Sequence, residues 1–183
     1  EKYGLDQVRY FLLREVPFGN DGDFSKNSMI NRINSDLSND LGNLCQRVLS
    51  FVQKNCDSSI PQNNGFSKDD ERLIAQVYGV LPSLRADFNS QSFNVALERI
   101  WSIVSASNKY IDEQAPWKLR KTEPKRMQTV LFTLLETIRC IGILLQPVMP
   151  ASANEILNQL AIDPSDRSFN ALNEEYCLKS GNK

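Results

Sequence analysis

Apolar residues recur along most of this chain at steps of three and four positions, which is the pattern of helices that bury one face. The longest such run starts after Ser25, whose hydroxyl suits a helix N-cap, and continues to Lys54. A loop rich in Ser, Pro and Asn over 57–65 follows it. The spacing therefore predicts one long amphipathic helix over 25–54. Its apolar stripe consists of Met29, Ile30, Ile33, Leu37, Leu41, Leu44, Val48, Phe51 and Val52.

The same periodicity predicts further helices on both sides of the long one. Ser67 caps the start of one of them and Pro82 disturbs it, while Trp101 lies beside the apolar stripe of another, where we expect it in the core. Alternation of the strand type is missing from the sequence. We therefore predict an all-α fold, an antiparallel helix bundle, with residues 1–24 as a small N-terminal connecting element and residues 25–183 as the bundle with a polar C-terminal tail. The additional helices are expected over 3–14, 68–88, 92–114, 125–145 and 151–161.

Composition indicates a soluble globular chain. The 183 residues are 41% hydrophobic and 23% charged, and no apolar run approaches the roughly 20 residues that cross a bilayer, so we expect no membrane contact. No secretory signal is apparent, and because the first residue is Glu1 rather than methionine we expect a fragment of a longer protein. The four cysteines have no CxxC spacing and histidine is absent, which argues against a zinc site and favours free thiols in the cytoplasm.

The absence of histidine also limits catalysis. Ser-His-Asp, Cys-His and two-His metal arrangements are excluded, and the 8 scattered glycines form no phosphate-binding loop. The Asn- and Asp-rich run at 20–23 is not a calcium loop, because the twelfth position counted from Asn20 or Asp21 is not a glutamate. We expect an Asx-rich turn there. No catalytic and no metal-ligating residue is therefore assigned in this chain.

A tryptophan beside a cluster of cations is the first candidate site. Pro116 disfavours the helical conformation at the residue before it, so the preceding helix should end near Gln114 and Trp117 should emerge at a helix end. A large aromatic beside cations can provide a stacking platform for an unpaired base; alternatively, the ring fills a gap in the core and the cations are a solvated face. The net charge is −1, so any nucleic-acid contact has to come from such a local patch. The candidate phosphate contacts are Lys118, Arg120, Lys121, Lys125 and Arg126.

Asn43 and Arg47, on the predicted long helix, form the second candidate site. They are four residues apart and therefore share a face, which flanks the apolar stripe. The fork of an arginine and the paired donor and acceptor of an amide are suited to reading the edge of a base. Asp36, Asp40 and Lys54 should continue the same polar strip. The alternative is an ordinary solvated strip whose i,i+4 pairs contribute little.

Four blocks of the sequence, in order, resemble methionyl-tRNA synthetases, a family of class I aminoacyl-tRNA synthetases. Residues 4–25, GLDQVRYFLLREVPFGNDGDFS, resemble the segment after the family's Lys-Met-Ser-Lys-Ser loop, and residues 37–47 resemble its anticodon-reading helix. Residues 146–150 resemble a helix-ending element that is shared more widely among class I synthetases. The remaining block matches the family's Asn-x-Tyr…Pro-Trp element through Asn108, Tyr110, Pro116 and Trp117.

The resemblance implies tRNA recognition within a full-length enzyme that ligates methionine to its tRNA with ATP. In that family the residues matching Asn43 and Arg47 contact the cytosine that opens the CAU anticodon, and the residue matching Trp117 stacks on an anticodon base. Residues 1–24 would connect the bundle to the catalytic domain of the same protein. That domain, with its His-Ile-Gly-His motif, its ATP site and its zinc-bearing insertion, is missing from this sequence. We therefore expect the chain to need no cofactor, to bind methionine tRNA weakly and to be inactive alone.

Two other interpretations stay open at this point. One is the equivalent domain of a sister class I enzyme, such as a cysteinyl, leucyl or valyl synthetase. The Asp-Gly-Asp-Phe-Ser run at 21–25 and Trp117 after Pro116 argue against it. The other is a helical scaffold that binds protein partners through a groove of the bundle, which would need an exposed apolar patch.

Overall fold

The computed structural model describes residues 3–22 and 24–182, and the regular structure in these ranges is helical, as predicted. Most of the predicted helices begin and end within two residues of their predicted bounds, but the helix predicted over 68–88 is divided in two and the helix over 116–122 was not predicted. Asp23, part of the predicted Asx-rich turn, lies outside the described residues. The helices are α1 (Leu5–Glu15), α2 (Lys26–Arg32), a π-helix (Ile33–Gly42), α3 (Asn43–Asn55), α4 (Lys68–Gly79), α5 (Leu81–Asn89), α6 (Phe93–Gln114), α7 (Pro116–Thr122), α8 (Pro124–Leu145) and α9 (Pro150–Gln159). Three short 3₁₀ turns follow at Pro164–Asp166, Phe169–Ala171 and Glu174–Tyr176.

Helix α8 is the centre of the bundle, and its side chains from Thr129 to Leu145 are all buried. Among the described residues it is the one helix that is long and apolar enough, by length and composition, to cross a membrane, but 94% of its apolar window is buried inside the bundle. The prediction that no apolar run approaches this length therefore missed α8. A helix that is apolar on all sides is expected where other helices surround it.

The long helices alternate in direction along the chain, as expected for an antiparallel bundle. Helices α4 and α8 are therefore parallel to each other, and α6, which lies between them in the sequence, is antiparallel to both. Asp70 in the first turn of α4 contacts Arg126 in the first turn of α8, and farther along Tyr78 contacts Glu136. The cap that the sequence predicts at Ser67 is confirmed, and Ser67 forms a capping box with Asp70.

The predicted long helix is continuous from Lys26 to Asn55, but its middle ten residues form a π-helix. At its end the N–H of Asn43 donates to the carbonyls of Asp40 and Ser38, three and five residues back. The wider turns move side chains away from their predicted positions. Asp36, expected on the exposed strip, is buried and accepts a hydrogen bond from the Tyr10 hydroxyl at 2.6 Å. The prediction for Asp36 was wrong because apolar spacing does not reveal where a helix widens.

The N-terminal element shares the core of the bundle. Tyr10 of α1 is fully buried, and its ring centroid lies 4.6 Å from that of Trp101 on α6. The burial of Trp101 was predicted and is confirmed. At the other edge of α1, the Asp6 carboxylate accepts a hydrogen bond at 2.7 Å from the N–H of Ser152, in the first turn of α9. Helix α1 is therefore fixed to the bundle at two places.

The C-terminal tail, predicted to be polar and weakly patterned, packs against α8. Arg139 and Glu136 form a buried ion pair on α8. A guanidinium N–H of Arg139 donates to the carbonyl of Ala171 at 2.9 Å, and the Glu136 carboxylate accepts from the N–H of Leu178 at 3.0 Å. Backbone groups of the tail thus complete the hydrogen bonding of two buried charges, a role that its side-chain pattern does not indicate.

Candidate nucleic-acid interface

The side chain of Arg47 lies between Trp117 and Asp112. Its guanidinium carbon is 5.6 Å from the centroid of the indole ring, and one of its terminal nitrogens donates to Oδ1 of Asp112 at 2.5 Å. Trp117 is 44% exposed. The structure therefore brings the two candidate sites, predicted from separate parts of the sequence, into one surface, which we call the Arg47–Trp117 surface.

Trp117 is exposed because of how α6 ends. The helix stops at Gln114, as the sequence predicts, and Ala115 adopts a left-handed conformation with φ 44° and ψ 61° before α7 begins at Pro116. Leu119 lies two residues after Trp117, about 200° around the helix, and it packs against the core. Trp117 thus faces away from the core, so the interpretation that it fills a gap there is wrong.

Asn43 is the first residue of α3 and lies one turn before Arg47 on the same face. Its side chain is exposed. Asp40, three residues earlier, is half-buried, and burial together with the nearby charge of Asp36 raises the pKa of its carboxyl group. The amide of Asn43 and the guanidinium of Arg47, together with the carboxylate of Asp112 that binds Arg47, give the surface both hydrogen-bond donors and acceptors.

Arg126 is a structural residue and is not available to a phosphate. Its guanidinium forms two hydrogen bonds to the carboxylate of Asp70, one of them at 2.8 Å, and a third to Oε1 of Gln114 at 2.7 Å. The Asp70 side chain is fully buried. The sequence prediction of Arg126 as a phosphate contact fails because a local cationic pattern does not show a partner 56 residues away.

The buried carboxylate of Asp70 is the centre of a polar cluster that holds three helices together. It accepts hydrogen bonds from the Tyr110 hydroxyl on α6, from Arg126 on α8 and from the N–H of Ser67. Burial alone would raise the pKa of Asp70, but the hydrogen bonds from Arg126 and Tyr110 outweigh it and lower the pKa. Burial and the bond to Asp70 raise the pKa of Tyr110. This cluster joins the start of α4, the end of α6 and the start of α8, and the capping pattern at Ser67 was its only sign in the sequence.

The other predicted cations remain at the surface. Lys118, Lys121 and Lys125 are exposed, and Arg120 is exposed with one hydrogen bond to Oδ1 of Asn55 at 3.1 Å. Four of the five candidate phosphate contacts are therefore exposed. Among the described residues, no group of three or more His, Cys, Asp or Glu side chains is placed to hold a metal ion.

An apolar groove of about 1110 Å³ lies between the π-helix, α3 and α9. Cys45 and Leu49 of α3 line it, each two residues, or about 200°, from Asn43 or Arg47. The groove is therefore on the opposite face of α3 from the Arg47–Trp117 surface. It is the exposed apolar patch that the scaffold interpretation requires, but none of the described residues indicates which partner would bind there.

A family model described as the anticodon binding domain of methionyl tRNA ligase matches residues 60–182. The chain belongs to this family. A second model, described as class I tRNA synthetases (M), matches residues 1–49. Both descriptions name the methionyl enzyme, so the sister-synthetase interpretation finds no support and the family resemblance of the sequence is confirmed. The second match runs past residue 24, and the predicted boundary there stays a prediction.

Relatives of the methionyl-tRNA ligase family cover almost the whole chain. It is 47% identical over 169 residues to the methionine–tRNA ligase of Brucella suis biovar 1, covering 92% of this chain and 33% of that protein. For the enzyme of Mycobacterium tuberculosis strain H37Rv the identity is 47% over 176 residues, covering 94% and 34%. The apo crystal structure of the M. tuberculosis synthetase matches with a TM-score of 0.94 at 46% identity, covering 98% of this chain and 36% of that one. The chain thus spans about a third of the length of these relatives.

Proposed function

We propose that this chain reads the CAU anticodon of methionine tRNA through Asn43, Arg47 and Trp117. The observation that carries the proposal is the placement of Arg47 on the exposed indole of Trp117, one helical turn from Asn43. A planar guanidinium held against a ring has few conformations left, which lowers the entropy lost on binding. The membership of the chain in the methionyl family of anticodon-binding domains supports the same assignment.

The chemistry of the site favours cytosine over uracil. Arg47 keeps free N–H donors after its contact with Asp112, and cytosine offers its ring nitrogen and its carbonyl oxygen as adjacent acceptors. The amide oxygen of Asn43 is available for the amino group of the same base. Uracil carries an N–H at the same ring nitrogen, so it would place a donor opposite the N–H donors of Arg47. Discrimination at this base therefore follows from hydrogen-bond polarity.

Stacking and charge supply the rest of the binding energy in this proposal. An unpaired base that stacks on an exposed aromatic ring gains about 1–3 kcal/mol, and Trp117 provides such a ring. Lys118, Arg120, Lys121 and Lys125 are exposed, follow Trp117 within eight residues of the sequence, and would contact a few phosphates. Because the chain as a whole is close to neutral, we expect weak binding outside this patch.

In the full-length protein we assign the ligation of methionine to tRNA, with ATP, to a catalytic domain of which this sequence holds only a small part. The chain has no histidine for the family's His-Ile-Gly-His motif, so we expect no activity from it alone. Helix α1 and the turn after it expose Leu5, Leu12 and Phe18, and these side chains suit a contact with the catalytic domain. Four free cysteines fit a reducing cytoplasm.

The test is a binding comparison on the full chain. Methionine tRNA carrying CAU and the same tRNA carrying another anticodon would be titrated in a filter-binding assay. We expect clear preference for CAU. Equal affinities would overturn the proposal and return attention to the scaffold interpretation, whose surface is the groove beside α9.

A further inference from the structure

Two side chains of α6 bind the backbone of the π-helix. The indole N–H of Trp101 donates to the carbonyl of Asp36 at 3.3 Å, and Nδ2 of Asn108 donates to the carbonyl of Asp40 at 3.2 Å. Side chains that hydrogen-bond to the carbonyls of a neighbouring helix compete with that helix's own N–H groups. The two bonds therefore tie two carbonyls of the widened stretch to α6 and fix its position there.

The register of the π-helix decides where Asn43 and Arg47 point. A slip of one residue between the i→i+5 and i→i+4 patterns turns the helix that follows by about 100°. Asn43 is the first residue of α3, directly after the ten-residue π-helix. Its direction, and that of Arg47 one turn later, thus depends on interactions made several residues upstream.

Gly42, the last residue of the π-helix, provides independent evidence of a close-packed register. A Cβ at Gly42 would lie 2.9 Å from the carbonyl oxygen of Leu37, five residues back. The backbone angles of Gly42 are ordinary helical ones, φ −63° and ψ −44°, so the constraint is space and not a left-handed conformation. An added methyl group would push the Leu37 carbonyl out of its place and disturb the junction with α3.

Asn108 is the α6 link that is nearest to the Arg47–Trp117 surface. Asp112, which holds Arg47, is four residues farther along the same face of α6. Oδ1 of Asn108 is buried, and it has no hydrogen-bond partner within the described ranges 3–22 and 24–182. A buried acceptor without a partner destabilises a fold, so the favourable contribution of this amide comes from its donor, which binds the Asp40 carbonyl.

We propose that Asn108 is a positioning residue for anticodon recognition. Its bond to the Asp40 carbonyl holds the π-helix in register, and the register directs Asn43 and Arg47 toward the base. This inference rests on the proposed function of Asn43 and Arg47. Asn108 does not contact the base in this arrangement and acts through the backbone of the neighbouring helix.

The experiment compares binding of the full chain to RNA stem-loops that carry a CAU or a GAU anticodon. Asn108→Leu keeps the size of the side chain and removes its donor. We expect it to lower the preference for CAU by about tenfold, because a displaced base contact loses much of its discrimination. In an Arg47→Ala background it should lower the preference no further, since both changes act on one contact. Gly42→Ala should reproduce the loss without altering Asn108.

Ser107→Ala is the matched control for a purely structural effect. The Ser107 hydroxyl is buried on α6 beside Asn108, and it bonds within its own helix, to the Ile103 carbonyl at 2.8 Å. This variant should lower the melting temperature and leave the preference for CAU intact. A folded Asn108→Leu that keeps its preference, while Arg47→Ala loses it, overturns the inference and leaves the proposed function standing. So does a further loss in the double variant.

The two proposals fail in distinguishable ways. If the unsubstituted chain binds both stem-loops equally, the proposed function itself is wrong. If Asn108→Leu does not fold, Gly42→Ala decides, because it disturbs the register of the π-helix without changing Asn108. If Gly42→Ala loses the preference for CAU, the inference is supported. If it keeps that preference in full, the inference is overturned.

Discussion

Arg47 and Asp112 are 65 residues apart in the sequence, and their side chains meet at 2.5 Å across α3 and α6. Both are partly exposed, with side-chain exposures of 29% and 62%. Pairs in such positions typically contribute about 0.2–1 kcal/mol to stability. The ion pair is therefore too weak to hold the bundle together. Its consequence is the position of the guanidinium, which stays over the ring of Trp117 with its other donors free.

Replacing Arg47 by alanine should abolish discrimination at the first anticodon base. A bidentate base contact contributes about 1–3 kcal/mol of discrimination, and the fold should tolerate the change because Arg47 lies outside the buried stripe. Affinities for tRNA with CAU and with other anticodons measure the effect. Lys54→Ala, which removes an exposed cation from the same helix, is the control. Asn43→Ala should act in the same direction, and the two changes should not add, since they serve one base.

Trp117→Ala should weaken tRNA binding by about 1–3 kcal/mol, the worth of one stacked base. The loss of stability should stay well below the roughly 3–5 kcal/mol that truncation of a core aromatic costs, because the ring is 44% exposed. Leu119→Ala on the core face of α7 is the matched control and should do the reverse, with lower stability and normal binding by the folded fraction. One denaturation curve and one binding curve on each variant suffice. Strong destabilisation by Trp117→Ala with normal binding would remove Trp117 from the site.

The salt dependence of binding should separate Lys125 from its neighbour Arg126. Each phosphate contact contributes about −0.7 to the log–log slope for a single strand, so Lys125→Gln should make the slope shallower by about that amount. Arg126→Gln should leave the slope unchanged and lower stability by about 3–5 kcal/mol, because it removes the one cation that is paired with the buried Asp70 carboxylate among the described residues. Binding measured over a range of salt concentrations, together with urea unfolding, distinguishes the two. A change of slope in a folded Arg126→Gln would contradict its structural role.

Stability should fall in acid through Asp70. The folded state lowers the pKa of this carboxyl group below its ordinary value of 3.8. Its contribution is therefore complete above the ordinary value, decreases once the pH drops below it, and is lost as the pH passes through the folded pKa. Unfolding free energies measured between pH 6 and pH 2 should show this decline. Asp70→Asn should be less stable at neutral pH and should show a weaker decline. An identical acid profile in the variant would show that other carboxylates dominate.

The helices were predictable because burial of one face leaves a repeat in the sequence, and the end of α6 because Pro116 restricts the residue before it. The exposure of Trp117 could not be predicted, because it depends on Leu119 being the residue of α7 that packs against the core. The π-helix left no mark on the apolar spacing, because donors on α6 help to hold it. In the sequence Arg126 cannot be distinguished from the neighbouring lysines, because its partner Asp70 is 56 residues away. Local patterns show elements, whereas long-range partners decide which polar residues are free.

The C-terminal tail, which packs against α8, also affects how the domain folds while it is being synthesised. Arg139 donates a hydrogen bond to the carbonyl of Ala171, and Glu136 accepts one from the N–H of Leu178. Ile60, in the loop before α4, forms backbone hydrogen bonds with Gly181 and Asn182. A ribosome delivers these residues after all the helices. Until they emerge, two charges in the middle of α8 lack part of their hydrogen bonding and the loop before α4 has no partner. The nascent bundle therefore reaches its final stability only once residues 171–182 have emerged, and until then it exposes unpaired polar groups to chaperones and proteases.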